Sequence, residues 1–155
     1  MKVRIVAVGQ RPPEWVAAGF ADYARRFPRE FAPALVEIPV ASRKALPVAR
    51  ARHEEGARML EQTVIRDWVV ALDVTGATTT TEGLATKLAN WQRQGRDLAF
   101  LIGGPDGLDP ACMERADERL SLSALTFPHG LVRVMLAEQL YRAWTLHSGH
   151  PYHRA

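Results

Sequence analysis

The chain has 155 residues, 47% hydrophobic and 24% charged. That is one domain of ordinary globular composition, long enough to bury roughly two thirds of its unfolded surface. No apolar run approaches the roughly 18 to 20 residues of a spanning helix, no secretory pattern opens the chain, and the single Cys112 forms no internal disulfide, so a membrane role is not expected and the expected setting is the cytoplasm. The net charge of +3 is unevenly placed, with 12 Lys+Arg against 7 Asp+Glu in residues 1–66 and 8 against 10 in residues 67–155. An Arg-dominated basic half suits phosphate, hence RNA, or reflects solvated helix faces. Charge alone leaves both open.

Val3–Val8 reads as a buried strand closed by Gly9. After Pro12 and Pro13, residues Trp15, Val16, Phe20, Tyr23, Ala24 and Phe27 recur at helical spacing until Pro28, a stripe suited to core or interface. Arg25, Arg26 and Arg29 close that helix and answer its dipole or touch phosphate. Leu35–Ile38 is a second strand, followed by the loop Pro39–Pro47 and a polar, peripheral helix from Val48 to roughly Thr63. Trp68–Leu72, nearly all apolar, is a third strand expected at the centre of a sheet and ending at Asp73. Thr80-Thr81-Glu82 begins a helix to about Gln94, with Leu84, Leu88 and Trp91 on one stripe and Gly95 as its stop.

Leu98–Ile102 is a fourth buried strand, and it ends on Gly103 and Gly104. Bare main chain at a strand's carboxyl end is where open α/β sheets bind ligands. Glycine permits positive φ at Gly103, Gly104 or Gly107 and close approach of a ligand. A valine at Gly103 is accordingly expected to block a ligand and spare the fold. Asp109-Pro110 supplies an N-cap and a first helical proline, and Cys112 in the first turn reads as a packing residue. Ser121–His129 has neither a helical nor a strand pattern. The last helix, Leu131 to His147, is apolar on almost every side except Glu138, Arg142 and Thr145. A helix apolar all round is buried all round, and a second copy of the chain is the simplest further covering, with Leu140 at a two-fold interface. The alternation of strands and helices implies an α/β fold, a mostly parallel sheet with helices on both faces, in one domain spanning residues 1–155.

Neither a dinucleotide fingerprint nor a P-loop is present, and no G-x-S-x-G elbow supports a hydrolase triad. His147, His150 and His153 recur every third residue with Pro151 between them, which gives no expectation of a metal site. His129 follows Pro128 and is either a capping or core histidine or a functional one.

Four segments, LIGGPDG (101–107), LSLSALTFPH (120–129), LVRVMLAEQLYRAW (131–144) and PYHR (151–154), together with VAVG (6–9) and YARRFP (23–28), closely resemble the ribosomal RNA large-subunit methyltransferase H family, of the SPOUT class of knotted methyltransferases. The resemblance spans the whole chain. It implies a homodimer of α/β protomers with a C-terminal trefoil knot, binding S-adenosylmethionine and methylating N3 of a pseudouridine in 23S rRNA within the assembled 70S ribosome, with no DNA substrate. Carried over by position, the cofactor residues are Leu72, Gly103, Gly104, Leu122, Ser123, Ala124, Leu125, Thr126 and Phe127. His129, Arg142, Tyr152, His153 and Arg154 are the catalytic candidates, with the proton acceptor unassigned. The tail Pro151–Arg154 is expected on the RNA side, reaching into the partner's site. The competing class is a non-catalytic basic α/β dimer that binds RNA.

Overall fold

The computed structural model describes residues 1–154. Five strands form one sheet in the order β2-β1-β4-β3-β5, every pairing parallel. They are β1 (Val3–Val8), β2 (Ala34–Ile38), β3 (Trp68–Thr78), β4 (Leu98–Ile102) and β5 (Glu118–Ser121). The helices are α1 (Glu14–Ala24), α2 (Val48–Leu60), α3 (Thr81–Gln94), α4 (Pro110–Arg115) and α5 (His129–Ser148), and a single 3-10 turn, Pro151–Arg154, follows α5.

Strand periodicity sorts the core into two layers. Val3, Ile5 and Ala7 of β1 and Leu98, Phe100 and Ile102 of β4 point to one face, where Phe20 of α1, Leu84, Leu88 and Trp91 of α3, and Leu136 and Leu140 of α5 cover them. Val6, Val8, Ala99 and Leu101 point to the other face, against Met59 of α2 and Cys112 of α4. Side chains alternate along a strand, so a strand covered on both faces must be apolar at every position. β4 meets that condition, with all five residues buried. It is the middle strand of the sheet; β3 lies beside it, inside the sheet but one place off centre.

Local signals set several boundaries as expected. Thr80 Oγ1 accepts from Gly83 N at 3.0 Å to cap α3, and Gly95 ends it at φ +67. Asp109 accepts from Ala111 N at 3.0 Å ahead of Pro110. Three features differ from the sequence reading. β5 is a strand of four residues, too short to display an alternating pattern. β3 continues past Leu72 after a bulge, since Leu120 pairs with both Leu72 and Ala77. α2 is not peripheral: Ala51, Glu55, Gly56 and Met59 are buried, and it lies close against the start of α4, where a Cβ on Gly56 would stand 2.8 Å from Asp109 Cβ.

Leu140 is 2% exposed and belongs to the protomer's own core, which corrects its expected place at an interface. Thr145 is likewise buried, and so is Arg133, which the apolar reading of α5 passed over. Among the half-exposed residues of that helix, Leu131, Met135, Glu138 and Arg142 follow one another at helical spacing.

Candidate functional site

On one side of the sheet β3 bulges between Leu72 and Ala77 while the carboxyl ends of β4 and β5 each release a loop, and these three looped segments enclose a cleft of about 520 Å³. Leu72, Asp73 and Val74 enter it from β3, Ile102 to Pro105 and Gly107 from β4, and Ser121 to Ser123 and Leu125 to Pro128 from β5. His129 and Val132, from the first turn of α5, close the remaining side. A volume of several hundred Å³, mostly apolar walls and a few polar groups are the attributes of a small-molecule site.

Each loop is held by identifiable contacts. In the first, Asp73 and its neighbours are extruded by the β3 bulge, and a Cβ on Gly76 would lie 2.8 Å from the backbone of Leu120. In the second, Gly107 N donates to Gly104 O at 3.1 Å, with Gly107 at φ +78. Gly103 and Gly104 do not take positive φ; close packing demands them instead. A Cβ on Gly103 would stand 2.5 Å from Gly107 C, and one on Gly104 would stand 2.8 Å from Val8 Cγ1. Valine at Gly103 would therefore collide with the loop's own backbone before it met any ligand. That replaces the expectation that such a variant would spare the local structure. In the third loop, Ser121 Oγ donates to Ser123 O at 2.9 Å and Leu125 N donates to Ser123 Oγ at 3.0 Å. These side-chain turns organise a segment with no regular secondary structure.

A charged clasp ties the glycine loop to the far layer. Arg43, in the loop before α2, donates to Asp106 Oδ2 at 2.9 and 3.1 Å and is paired with Glu55 of α2. Glu55 is 1% exposed and also accepts from Ala41 N at 3.0 Å. Arg43 is thereby held charged, first by the Glu55 hydrogen bond and then by Asp106. On the other flank, buried Arg133 donates to Gly9 O at 2.7 Å and to Glu37 Oε2 at 2.7 Å, which fastens the start of α5 to the ends of β1 and β2.

Of the residues expected at the cofactor site, Leu72, Gly103, Gly104, Leu122, Ser123, Leu125, Thr126 and Phe127 line the cleft; Ala124 is exposed and does not. Asp73, Pro105 and Val132 line it without having been expected there. The catalytic candidates divide. His129 is in the cleft, whereas Arg142 lies thirteen residues further along α5, about 20 Å at the rise of a helix. Arg142 sits with the tail: its guanidinium pairs with Glu138 at 2.6 Å, Tyr152 Oη donates to Glu138 Oε1 at 3.1 Å, and the Tyr152 ring is 4.7 Å from that of Tyr141. Burial, then hydrogen bonding with Tyr23 and Glu138, holds the Tyr152 phenol well above its ordinary pKa, so Tyr152 keeps its proton and donates a hydrogen bond to the Glu138 carboxylate. His153 is half-buried with Nδ1 lacking a partner, and Arg154 is exposed. One protomer thus contains the two halves of the candidate set at opposite ends of one helix. Cys112 is fully buried, and desolvation with Asp109 nearby pushes its thiol up to about 11, the behaviour of a packing residue. Among the described residues no three His, Cys, Asp or Glu side chains gather as a metal-binding group, and no helix is long and apolar enough to cross a membrane.

Comparison with known proteins gives a concordant result. Residues 1–153 match the family described as predicted SPOUT methyltransferase. The chain is 52% identical over 155 residues to a ribosomal RNA large subunit methyltransferase H from Saccharophagus degradans, covering 99% of this chain and 100% of the relative. It is 53% identical, with the same coverage, to the protein of that name from Chromohalobacter salexigens. Among solved structures, a methylase family protein from Neisseria gonorrhoeae superposes with a TM-score of 0.55 at 11% identity, covering 90% of this chain and 81% of that one, a likeness of fold. The chain belongs to the SPOUT methyltransferase family and, within it, to the ribosomal RNA large subunit methyltransferase H proteins.

Proposed function

We propose that this protein is an S-adenosylmethionine-dependent methyltransferase of large-subunit ribosomal RNA, which methylates N3 of a pseudouridine in 23S rRNA on the 70S ribosome and works as a homodimer. The observation that carries this reading is the coincidence of the three-loop cleft with the glycine-rich and Ser121–Phe127 segments, in a chain half-identical over its full length to methyltransferases of that name. We infer the knot on the same ground. From β5 at the sheet edge the chain crosses back over the strand ends to His129, whose Nε2 would be 3.5 Å from a Cβ on Gly9 at the end of β1, a return path suited to threading.

The cleft fits the cofactor in size and in charge, since the cofactor is cationic and the one Asp, Glu, Lys or Arg among the described lining residues is Asp73. The Gly103–Gly107 and Leu122–Phe127 loops would hold it. When bound, it supplies an electrophilic methyl group on a sulfonium. The protein's share of the chemistry is then positioning donor and acceptor in line and managing the acceptor's proton. His129 stands at the cleft, within reach of that task. The Arg142–Tyr152–Arg154 group serves the RNA: exposed Arg154 meets phosphate and Tyr152 offers a stacking surface.

These halves lie too far apart to meet within one chain, and this supports dimerisation through the Leu131–Met135–Glu138–Arg142 stripe, which brings one protomer's tail to its partner's cleft. Titration calorimetry with S-adenosylmethionine in the absence of RNA tests the central claim. Binding is expected, followed by methyl transfer to purified 70S ribosomes. No binding would leave the RNA-binding dimer as the better reading. Deletion of residues 151–155 should abolish transfer and leave cofactor binding intact. Mixing that deletion with a cofactor-blind Gly103→Val chain should restore activity in heterodimers. Heterodimers shown to form yet inactive would reject the crossing of the tail.

A further inference from the structure

The carboxylate of Asp73 is placed in the cleft by a backbone irregularity and then left without a cation. Leu120 of β5 pairs first with Leu72 and then with Ala77, so residues 73 to 76 are looped out of the sheet at its carboxyl end. Within that bulge Thr75 N donates to Asp73 Oδ2 at 3.0 Å, and the Thr75 hydroxyl donates to the same oxygen. Both donors fall on one oxygen, which fixes the side chain and leaves Oδ1 with no hydrogen-bond donor among the described residues. The other carboxylates of this region are engaged elsewhere, Asp106 with Arg43 and Asp109 with Ala111 N and His53. Asp73 takes part in no ion pair among the described residues. Among the described residues the cleft offers it no Lys or Arg, and Leu72, Val74 and Ile102 lie on the nearby strand ends. A half-buried carboxylate with one oxygen uncommitted, and no cation among the described residues to offset it, attracts a cation that enters the cleft.

We propose that Asp73 is a specificity-determining residue of the cofactor site, selecting the cationic sulfonium cofactor over the neutral thioether that remains after transfer. The inference rests on the methyltransferase reading above. When the acceptor nitrogen forms its bond to the methyl carbon, the S–CH3 bond breaks and the sulfur keeps the electron pair. The nitrogen's proton leaves to base or solvent. The cofactor's sulfur is therefore the one atom whose charge differs between donor and product, and a carboxylate facing it binds the donor more tightly than the product. Recognition of the ribose hydroxyls or of the α-amino group by Asp73 would not discriminate, because donor and product share both.

The test compares three ligands by titration calorimetry on the full chain without RNA: S-adenosylmethionine, its neutral thioether product S-adenosylhomocysteine, and sinefungin, which carries an amine in place of the sulfonium. Asp73→Asn keeps the shape and the Thr75 contacts and removes the charge. The dissociation constants of S-adenosylmethionine and sinefungin should rise about tenfold, equivalent to about 1.4 kcal/mol, and that of S-adenosylhomocysteine by less than about twofold. Asp73→Glu keeps the charge and should hold the donor-to-product ratio within about twofold of the unaltered chain. Equal weakening of all three ligands, no weakening, or the same ratio shift in both variants overturns the assignment. Failure of the unaltered chain to bind any of the three overturns the methyltransferase reading itself, a result distinct from the loss of discrimination.

Discussion

Gly103→Ala isolates what the glycine loop requires. The added Cβ would stand 2.5 Å from Gly107 C, 2.7 Å from Gly107 O and 2.7 Å from Leu108 N. All three are backbone atoms, so no side chain can swing aside. Ordinary contact requires the two arms of the turn to separate by about 1 Å, against the Gly107 N to Gly104 O hydrogen bond of 3.1 Å that closes it. Overpacking of this kind costs about 1 to 3 kcal/mol, which for a domain of this size lowers the melting temperature by roughly 3 to 10 °C. Because the displaced arm lines the cleft, S-adenosylmethionine affinity should fall with stability, by tenfold or more. Gly95→Ala is the control. Its Cβ meets nothing within 4 Å but its φ is +67, so it should lose only about 1 kcal/mol from left-handed strain and bind cofactor normally, α3's end being remote from the cleft. Scanning calorimetry and titration calorimetry on both variants decide the matter. A Gly103→Ala protein that melts and binds like the unaltered chain would refute the packing argument.

Other expectations follow from the contacts around the site. Asp106→Asn releases the glycine loop from Arg43 and leaves the Arg43–Glu55 pair intact. It should speed amide exchange at Gly107 and weaken S-adenosylmethionine two- to fivefold, as for a partly exposed ion pair, with melting nearly unchanged. Arg43→Gln strands the buried Glu55 carboxylate and should cost about 3 kcal/mol of stability, so unaltered melting would show that Glu55 does not need its cation. Cys112, raised to about 11 by burial and Asp109, contributes stability that is complete below the ordinary thiol value of 9.0 and lost as pH climbs from there to about 11, at up to about 1.4 kcal/mol per pH unit. Cys112→Ala should lack that component of the decline, measured as the difference between the two denaturant curves across the window.

The legibility of this chain follows from where information is local. β4 was readable because a strand covered on both faces is apolar at every position, and β1 because Arg4 is its one departure from that rule. α3 and α4 were readable because Thr80, Gly95, Asp109 and Pro110 act on adjacent backbone. The cleft loops were readable only in part: Gly-Gly after a buried strand marks a ligand-facing end, but the demand for Gly103 comes from Gly107, and Asp73 enters the cleft through a bulge whose partner strand lies more than forty residues away. β5 has four residues, fewer than a period-2 pattern needs. The Arg43–Glu55–Asp106 clasp joins three segments with no shared periodicity, and nothing in VARARHEEGARML separates buried Glu55 from half-buried Glu54.

Arg133 shows why a long apolar helix is a poor guide to its own partners. Read by type, an arginine in α5 belongs on a solvent-facing stripe, yet this one is 1% exposed and directs its two terminal nitrogens to Val8 O, Gly9 O and Glu37. The carbonyls of Val8 and Gly9 lie where β1 ends and the ladder no longer satisfies them, and Gly9, at φ +119, brings its backbone close: a Cβ there would be 3.2 Å from Arg133 Nη2. The cation thus replaces the missing neighbours of a strand end, and it sits four residues after His129, one helical turn behind the cleft. The same helix that carries His129 at its start carries Arg142 and the tail contacts at its end, so Arg133 fixes the orientation of both relative to the sheet. The rigid spacing of the helix therefore keeps the two ends apart within one protomer.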